Sequence, residues 1–257
     1  MDVQFFSKGK VEGKNEDFFD YNQDCFALAD GATDKSGRKY DNKTGGEIVA
    51  RLVVKEALLT LLTGNDLVSY LNTKVSDLYN SLGISDLMLE AVNRFTCSCI
   101  VARIINDKII ITSVGDSCFR INGGEIHKAS KLSDEPAALE RAKYIAETGD
   151  VTGSREHIMP MLLGQFGGQN NPNHSFGYGV IDGSNTPEIF IETLFYPKCE
   201  IKTLELFSDG YFSVPTGNTI TDWEIEYEKV EKEDPDKWKK YKSTKSKDDR
   251  TIAIIKF

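Results

Sequence analysis

Lys202–Phe212, KTLELFSDGYF, reads as a strand that runs straight into an acidic turn. Leu204 and Leu206 alternate with Thr203 and Glu205, the period of two that marks a strand. Phe207 and Ser208 lead into Asp209-Gly210, which sets a carboxylate at the mouth of a sheet. Taken alone, Asp-Gly is turn chemistry. The fold and the function both turn on whether other strands of the chain end in the same way.

Several do. Downstream, Asp248-Asp249-Arg250 precedes a final strand over Thr251–Phe257. The intervening Asp222–Lys247 is strongly charged, with Trp223, Ile225, Tyr227, Val230, Trp238 and Tyr241 interspersed, and is expected as one or two surface helices broken near Pro235. Upstream, Phe176–Ile181 and Ile189–Phe195 have strand character around an Asp182-Gly183 turn. Ser130–Asn173 is less regular. It holds a helix over Glu135–Thr148 with a Gly149 stop, a second short helix over Gly153–Gln165 interrupted by Pro160, and a Gly- and Asn-rich end. Cys99–Ile105 and Lys108–Val114 flank an Asn106-Asp107 hairpin turn, and the second run ends at Gly115-Asp116. Cys118–Ile121 and the turn Asn122-Gly123-Gly124 follow.

The first third of the chain carries the helices. Ala32–Lys43 is a polar loop. Thr44 caps a helix with Glu47 three residues on, its apolar face running from Ile48 to Leu62. Asp66 caps a second helix bearing Leu67, Leu71, Val75, Leu78 and Leu82, closed by Gly83, and Asp86–Asn93 adds a short helical segment. Before them, Val3–Ser7 is a first strand, followed by a turn, Asn15-Glu16-Asp17, and the apolar run Cys25–Ala29 ending at Asp30-Gly31.

The 257 residues carry 31 Lys plus Arg and 40 Asp plus Glu, for a net charge of −9. Such a surface repels nucleic-acid phosphates, so no nucleic-acid partner is expected. No apolar signal region opens the chain, and Ile48–Leu62 is interrupted by Arg51, Lys55 and Glu56 where a membrane span needs about 20 mostly apolar residues. A cytoplasmic monomer of one domain, residues 1–257, with no membrane partner is expected. Five cysteines, an odd number, fit reduced thiols; Cys97 and Cys99 share one face of a strand and fill core.

Glu16/Asp17, Asp30, Asp116, Asp209 and Asp248/Asp249 thus each flank a strand. Were the strand ends to converge, two carboxylates about 5 Å apart would repel by roughly 3 kcal/mol at an effective dielectric of about 20. Four or five therefore call for cations, and hard ions such as Mg²⁺ or Mn²⁺ suit oxygen donors. Glycine at position 31 allows its carbonyl to approach an ion closely.

The ordered motifs NEDFFDY (Asn15–Tyr21), CFALADGA (Cys25–Ala32), SVGDSCFRI (Ser113–Ile121), LFSDGYF (Leu206–Phe212) and DDRTIAII (Asp248–Ile255) resemble the metal-dependent serine/threonine phosphatases of the type 2C family across nearly the whole chain. The resemblance implies an α+β fold, a four-layer α-β-β-α sandwich with two central antiparallel sheets. It implies that Asp30 bridges two Mg²⁺ or Mn²⁺ ions, that the Gly31 carbonyl and Glu16 hold one of them with Asp17 in support, and that Asp209 and Asp248 hold the other. Asp249 stands where the family often has Asn. Asp116 resembles the acid that helps bind a third, weaker ion. The implied reaction is hydrolysis of phosphoserine or phosphothreonine in a phosphorylated protein, by a hydroxide shared between two ions about 3.5–4 Å apart.

The chain departs from the family pattern in three places. Glu12 stands where an Arg often clamps the substrate phosphate, leaving Lys14 or Lys10 to take that part, and Lys lacks the guanidinium fork. Ala32-Thr33 follows Asp-Gly where some members have His. Ser213 replaces an acid that helps the third ion. These differences motivate a rival expectation, a catalytically weak module that binds a phosphorylated partner. The segment Ser130–Asn173 lies where the family inserts a variable flap, and is expected to shape substrate choice and to move at Gly167-Gly168.

Overall fold

A computed structural model describes residues 1–33, 35, 37–128 and 134–257. Parts of two sequence-defined segments, 34 and 36 of the loop Ala32–Lys43 and 130–133 of the flap, lie outside the described residues. Among the described residues, ten strands form two antiparallel sheets. The first contains β1 (Asp2–Lys8), β6 (Cys118–Ile121), β7 (Ile126–Lys128), β9 (Thr203–Phe207) and β10 (Arg250–Lys256), in the order β1-β10-β9-β6-β7. The second contains β2 (Asp17–Tyr21), β3 (Cys25–Gly31), β4 (Cys97–Ile105), β5 (Lys108–Val114) and β8 (Ile191–Pro197), in sequence order.

Strand alternation sorts the side chains into layers. On β3, Cys25, Ala27 and Ala29 pack against the helices α1 (Gly45–Leu59) and α2 (Gly64–Leu82). Phe26 and Leu28 face the other way and meet Leu204 and Leu206 of β9 and Ala253 and Ile255 of β10 between the sheets. On the far side of the first sheet, Phe207, Ile252 and Ile254 pack against Trp223 of α6 (Ile220–Glu233). The result is the four-layer α-β-β-α sandwich expected from the sequence. The same period of two sends Asp30 to the face of Phe26 and Leu28, and Asp17 to the face of Phe19, so both acids project toward the gap between the sheets.

Local signals explain most boundaries. Thr44 Oγ1 accepts from Glu47 N at 3.2 Å and caps α1, and Gly83, at φ 66°, closes α2. Cys97 and Cys99 are buried under the helices, as expected. Three expectations for these elements need correction. The α2 cap position is Thr63, with Asp66 inside the first turn, because Gly64 at φ 59° turns the chain into the helix earlier. Asp86–Asn93 is two short 3-10 turns. Phe176–Ile181 is no strand; it makes only isolated bridges, Cys97 with Ile181 and Gln169 with Tyr178. Gly177 and Gly179 offer no side chain to pack there, and Gly179 lies against Phe190. Asp222–Lys247, expected as one or two helices, holds one, which ends at Glu233 ahead of Pro235. Beyond Glu233 the chain wraps around buried Asp234, whose carboxylate accepts from the backbone N–H groups of Trp238, Lys239, Lys240 and Tyr241.

The irregular flap segment contains α3 (Asp134–Thr148), α4 (Ser154–His157) and α5 (Met159–Gly164). Pro160 sits in the first turn of α5 rather than interrupting a helix. Arg141 of α3 is buried and ties this segment to the 234–248 loop: it donates to Ser154 Oγ, to the carbonyls of Asp236, Lys237 and Ser243, and to Ser246 Oγ, at 2.7–3.2 Å. Among the described residues, no helix is long and apolar enough to cross a membrane.

Candidate active site

The acids converge because sheet ends and turns press together. Asp17 and Asp30 are register partners in the β2–β3 ladder. Ser208, just past β9, donates its hydroxyl to Asp17 Oδ2 across the two sheets at 2.6 Å, and receives Thr251 N at 2.9 Å. The two Asp-Gly glycines allow the backbones to meet. A Cβ at Gly210 would fall 1.9 Å from the Asp249 carbonyl oxygen, and one at Gly31 would fall 2.4 Å from the Gly46 carbonyl oxygen and 2.7 Å from that of Glu16. These contacts bring Asp209 beside the 248–249 turn, and Asp30 beside Glu16.

The electrostatics follow from that packing. Burial, then the neighbouring Asp17, Asp209, Asp248 and Asp116 carboxylates, push the Asp30 carboxyl well above the usual carboxylate range. Burial also raises Asp17, to about 7, against the pull of the Ser208 hydrogen bond, and Asp248 and Asp249 push the same way. Asp17 Oδ1 is buried with no hydrogen-bond partner. Asp30, Asp116 and Asp209 line one cleft of about 1220 Å³, together with Arg94, Arg155 and Lys245.

The three remaining acids of the set are held differently. Glu16 Oε1 accepts from Thr44 Oγ1 at 2.7 Å, and Oε2 accepts from Lys10 Nζ at 2.8 Å and Thr33 Oγ1 at 2.9 Å. Asp249 turns away from the cleft and braces the N-terminal segment: it accepts from Lys10 N at 2.7 Å, from Glu16 N at 3.1 Å and from Lys10 Nζ at 3.2 Å. Asp248 instead meets the Lys245 ammonium. Burial opposes the charge on Lys245, but Asp248, Asp209 and Asp30 outweigh it and raise its pKa. Glu16 and Asp248 likewise outweigh burial at Lys10.

The donor set is carboxylate and backbone oxygen, with an orphaned buried oxygen on Asp17, and it fits hard divalent cations. No three His, Cys, Asp or Glu side chains among the described residues are drawn together tightly enough to hold an ion as they stand. Mutual repulsion keeps such carboxylates apart unless a cation offsets it.

Of the residues singled out in the sequence, Asp17, Asp30, Asp116, Asp209 and Asp248 share one electrostatic neighbourhood, and Glu16 abuts it through Gly31 N, which donates to the Glu16 carbonyl at 3.1 Å. Lys14 is exposed in a turn and does not line the cleft. Ser213 donates to Glu226 of α6 at 2.7 Å. Sequence reasoning missed Lys245 and Arg155. The Arg155 partner Thr244 lies 89 residues on, and Lys245, although it pairs with Asp248 only three residues away, sits in a charge-rich segment without periodic pattern.

No family model matches the chain, and no curated relative does. Solved structures do. A bacterial serine phosphatase superposes with a TM-score of 0.56 at 17% identity, covering 99% of this chain and 96% of that one. The serine/threonine phosphatase Stp1 from Staphylococcus aureus gives 0.56 at 17%, covering 99% and 94%. The catalytic domain of the phosphatase PstP, solved in complex with two manganese ions, gives 0.52 at 14%, covering 98% and 96%. The chain has the fold of these phosphatases from end to end.

Proposed function

We propose that this chain is a divalent-metal-dependent phosphatase that removes phosphate from phosphoserine or phosphothreonine in proteins. The observation that carries the reading is the convergence of Asp17, Asp30, Asp116, Asp209 and Asp248 at one end of the sandwich, with Asp30 raised by burial and by four neighbouring carboxylates. That the PstP structure of the same fold holds two manganese ions supports it. Glu16, Asp30 and the Gly31 carbonyl would hold one Mg²⁺ or Mn²⁺, Asp30, Asp209 and Asp248 the second, and Asp116 would face a third position. Two such ions, when bound, lower the pKa of a water and offset phosphoryl charge.

The chain's own residues prepare the site. Asp17 clamps Ser208 and so fixes the two sheets at the depth of the acids. Asp249 fixes the Glu16 backbone, which favours Asp248 over Asp249 as the ligand. The cleft, at about 1220 Å³, has the volume to hold a phosphorylated side chain with flanking residues. The polypeptide works as one domain, a monomer in the cytoplasm, with a phosphorylated protein as its partner.

The test is Mn²⁺-dependent hydrolysis of a phosphothreonine peptide. Asp30→Asn and Asp209→Asn are expected to lower kcat/KM by at least about 1000-fold, on the order of 4 kcal/mol of transition-state stabilisation. Normal turnover in both variants would sink the proposed centre. One observation favours the rival, a phosphoprotein-binding module: both Glu16 side-chain oxygens are already satisfied by protein donors. That reading expects the wild-type chain to bind the phosphopeptide and release no phosphate.

A further inference from the structure

A cleft floored by carboxylates repels a phosphomonoester dianion. Bound cations offset part of that repulsion, but the phosphoryl oxygens that face the cleft wall need donors there, and a guanidinium fork is the side chain best shaped for them. Among the described residues two arginines line the cleft, Arg94 and Arg155. Each nitrogen of the Arg94 guanidinium already has a partner: Nε donates to the Met88 carbonyl, one amino group to Asp182 and the other to the Leu89 carbonyl. Arg155 makes one hydrogen bond, from one amino group to the Thr244 carbonyl at 2.6 Å. Its Nε and second amino group remain for a ligand.

Arg155 is also held in place. Its neighbour Ser154 is wholly buried, donates to the Val151 carbonyl at 2.6 Å and receives Arg141 Nε at 3.0 Å. Three residues on, Ile158 is buried against Ala137 and Leu162. The hydrogen bond to Thr244 sets the guanidinium one residue from Lys245 and within the field of Asp248. Burial depresses the Arg155 pKa, with Asp248 and Asp134 acting against it.

We propose that Arg155 binds the phosphoryl group of the substrate, presenting its free Nε and amino group to two phosphate oxygens from the wall formed by α4. The assignment rests on the phosphatase reading above and gives the flap segment a role in the chemistry of binding rather than in shape alone.

Inorganic phosphate is titrated calorimetrically into the full-length Mn²⁺-loaded protein, alongside steady-state kinetics on the phosphothreonine peptide. Arg155→Gln keeps a polar side chain and removes the charge and the guanidinium fork. It is expected to weaken phosphate binding by about 10- to 100-fold and to raise KM more than it lowers kcat, with Mn²⁺ affinity unchanged. Arg155→Lys, which keeps charge without the fork, is expected to fall between the two and decides the matter if the Gln variant does not fold. Phosphate affinity and KM equal to wild type in the folded variant overturn the assignment while leaving the phosphatase reading intact, as does a wild-type protein that turns over peptide without binding phosphate measurably. Phosphate binding that depends on Arg155 in a protein without turnover overturns the phosphatase reading and leaves the assignment standing.

Discussion

Glu205 and Asp209 lie four residues apart in one stretch of chain and meet opposite surroundings. Glu205, wholly buried, faces α6, where Arg120 grips both its oxygens and Trp223 Nε1 adds a donor at 3.2 Å. Arg120 spends its remaining donor capacity on the carbonyls of Pro215 and Gly217. Asp209 instead lies at the cleft among Asp30 and Asp248, where each carboxylate raises the cost of ionising the next. The first acid has its charge matched within the protein. The second belongs to a set of acids that repel one another across the cleft. A matched acid holds a fold together, whereas a set of mutually repelling acids calls for a ligand from outside.

The largest effect that can break this distinction is on stability. Arg120→Met strands Glu205 in an apolar layer and is expected to cost about 3–5 kcal/mol, read by urea denaturation. Asp30→Asn in metal-free protein replaces a carboxyl whose ionisation the fold opposes, and is expected to leave stability unchanged or raise it, while Mn²⁺ binding is lost. Should Asp30→Asn destabilise as much as Arg120→Met, the two acids are of one kind and the proposed centre falls.

The next effect is smaller and depends on pH. Asp17, raised to about 7 in the fold, contributes stability that is fully present below its unfolded pKa of about 3.9 and is lost as pH climbs through 7. Metal-free protein is therefore expected to melt at lower temperature at pH 8 than at pH 5, and Asp17→Asn to flatten that slope. Saturating Mn²⁺ at about 100 times its Kd should restore about 2.7 kcal/mol at pH 8. A Tm that rises from pH 5 to pH 8 without metal would contradict the buried, unmatched state of Asp17.

The contrast between the matched acid and the mutually repelling set also marks how far the sequence could be read. Period-two alternation and the Asp-Gly turns marked strands and the acids at their ends, because strand ends are local facts, while the four-layer sandwich was implied by the resemblance of the ordered motifs to the type 2C phosphatases. Alternation placed Glu205 opposite the buried leucines, but it could not tell that the opposite face is buried too, since that depends on Trp223 in a later helix. The two Asp-Gly glycines looked like turn residues or ion contacts. Their structural reason is backbone packing against Gly46, Glu16 and Asp249, residues distant in sequence. Arg141 and Arg155 were illegible for the same cause, as their partners in the 236–246 loop lie about 90 to 105 residues on. Asp182, read as an ordinary turn, is a buried hub that bonds Arg94, Gln169, Asn170 and Ser184.

One residue straddles the two regions, and the smallest effect tests it. Thr44 Oγ1 caps α1 by accepting from Glu47 N, and donates the same hydroxyl's proton to Glu16 Oε1 at 2.7 Å. Its scaffold role alone makes Thr44→Ala cost about 1 kcal/mol of stability. Its site role adds a second consequence, because Glu16 loses the donor that fixes one oxygen while Lys10 and Thr33 still hold the other. Thr44→Asp restores a capping acceptor but offers no donor to Glu16, and sets a second charge beside it. Stability by denaturation should therefore recover in Thr44→Asp, while Mn²⁺ affinity falls in both variants and survives in Thr44→Ser. If Mn²⁺ affinity follows stability through all three substitutions, Thr44 acts on the helix alone and Glu16 is positioned without it.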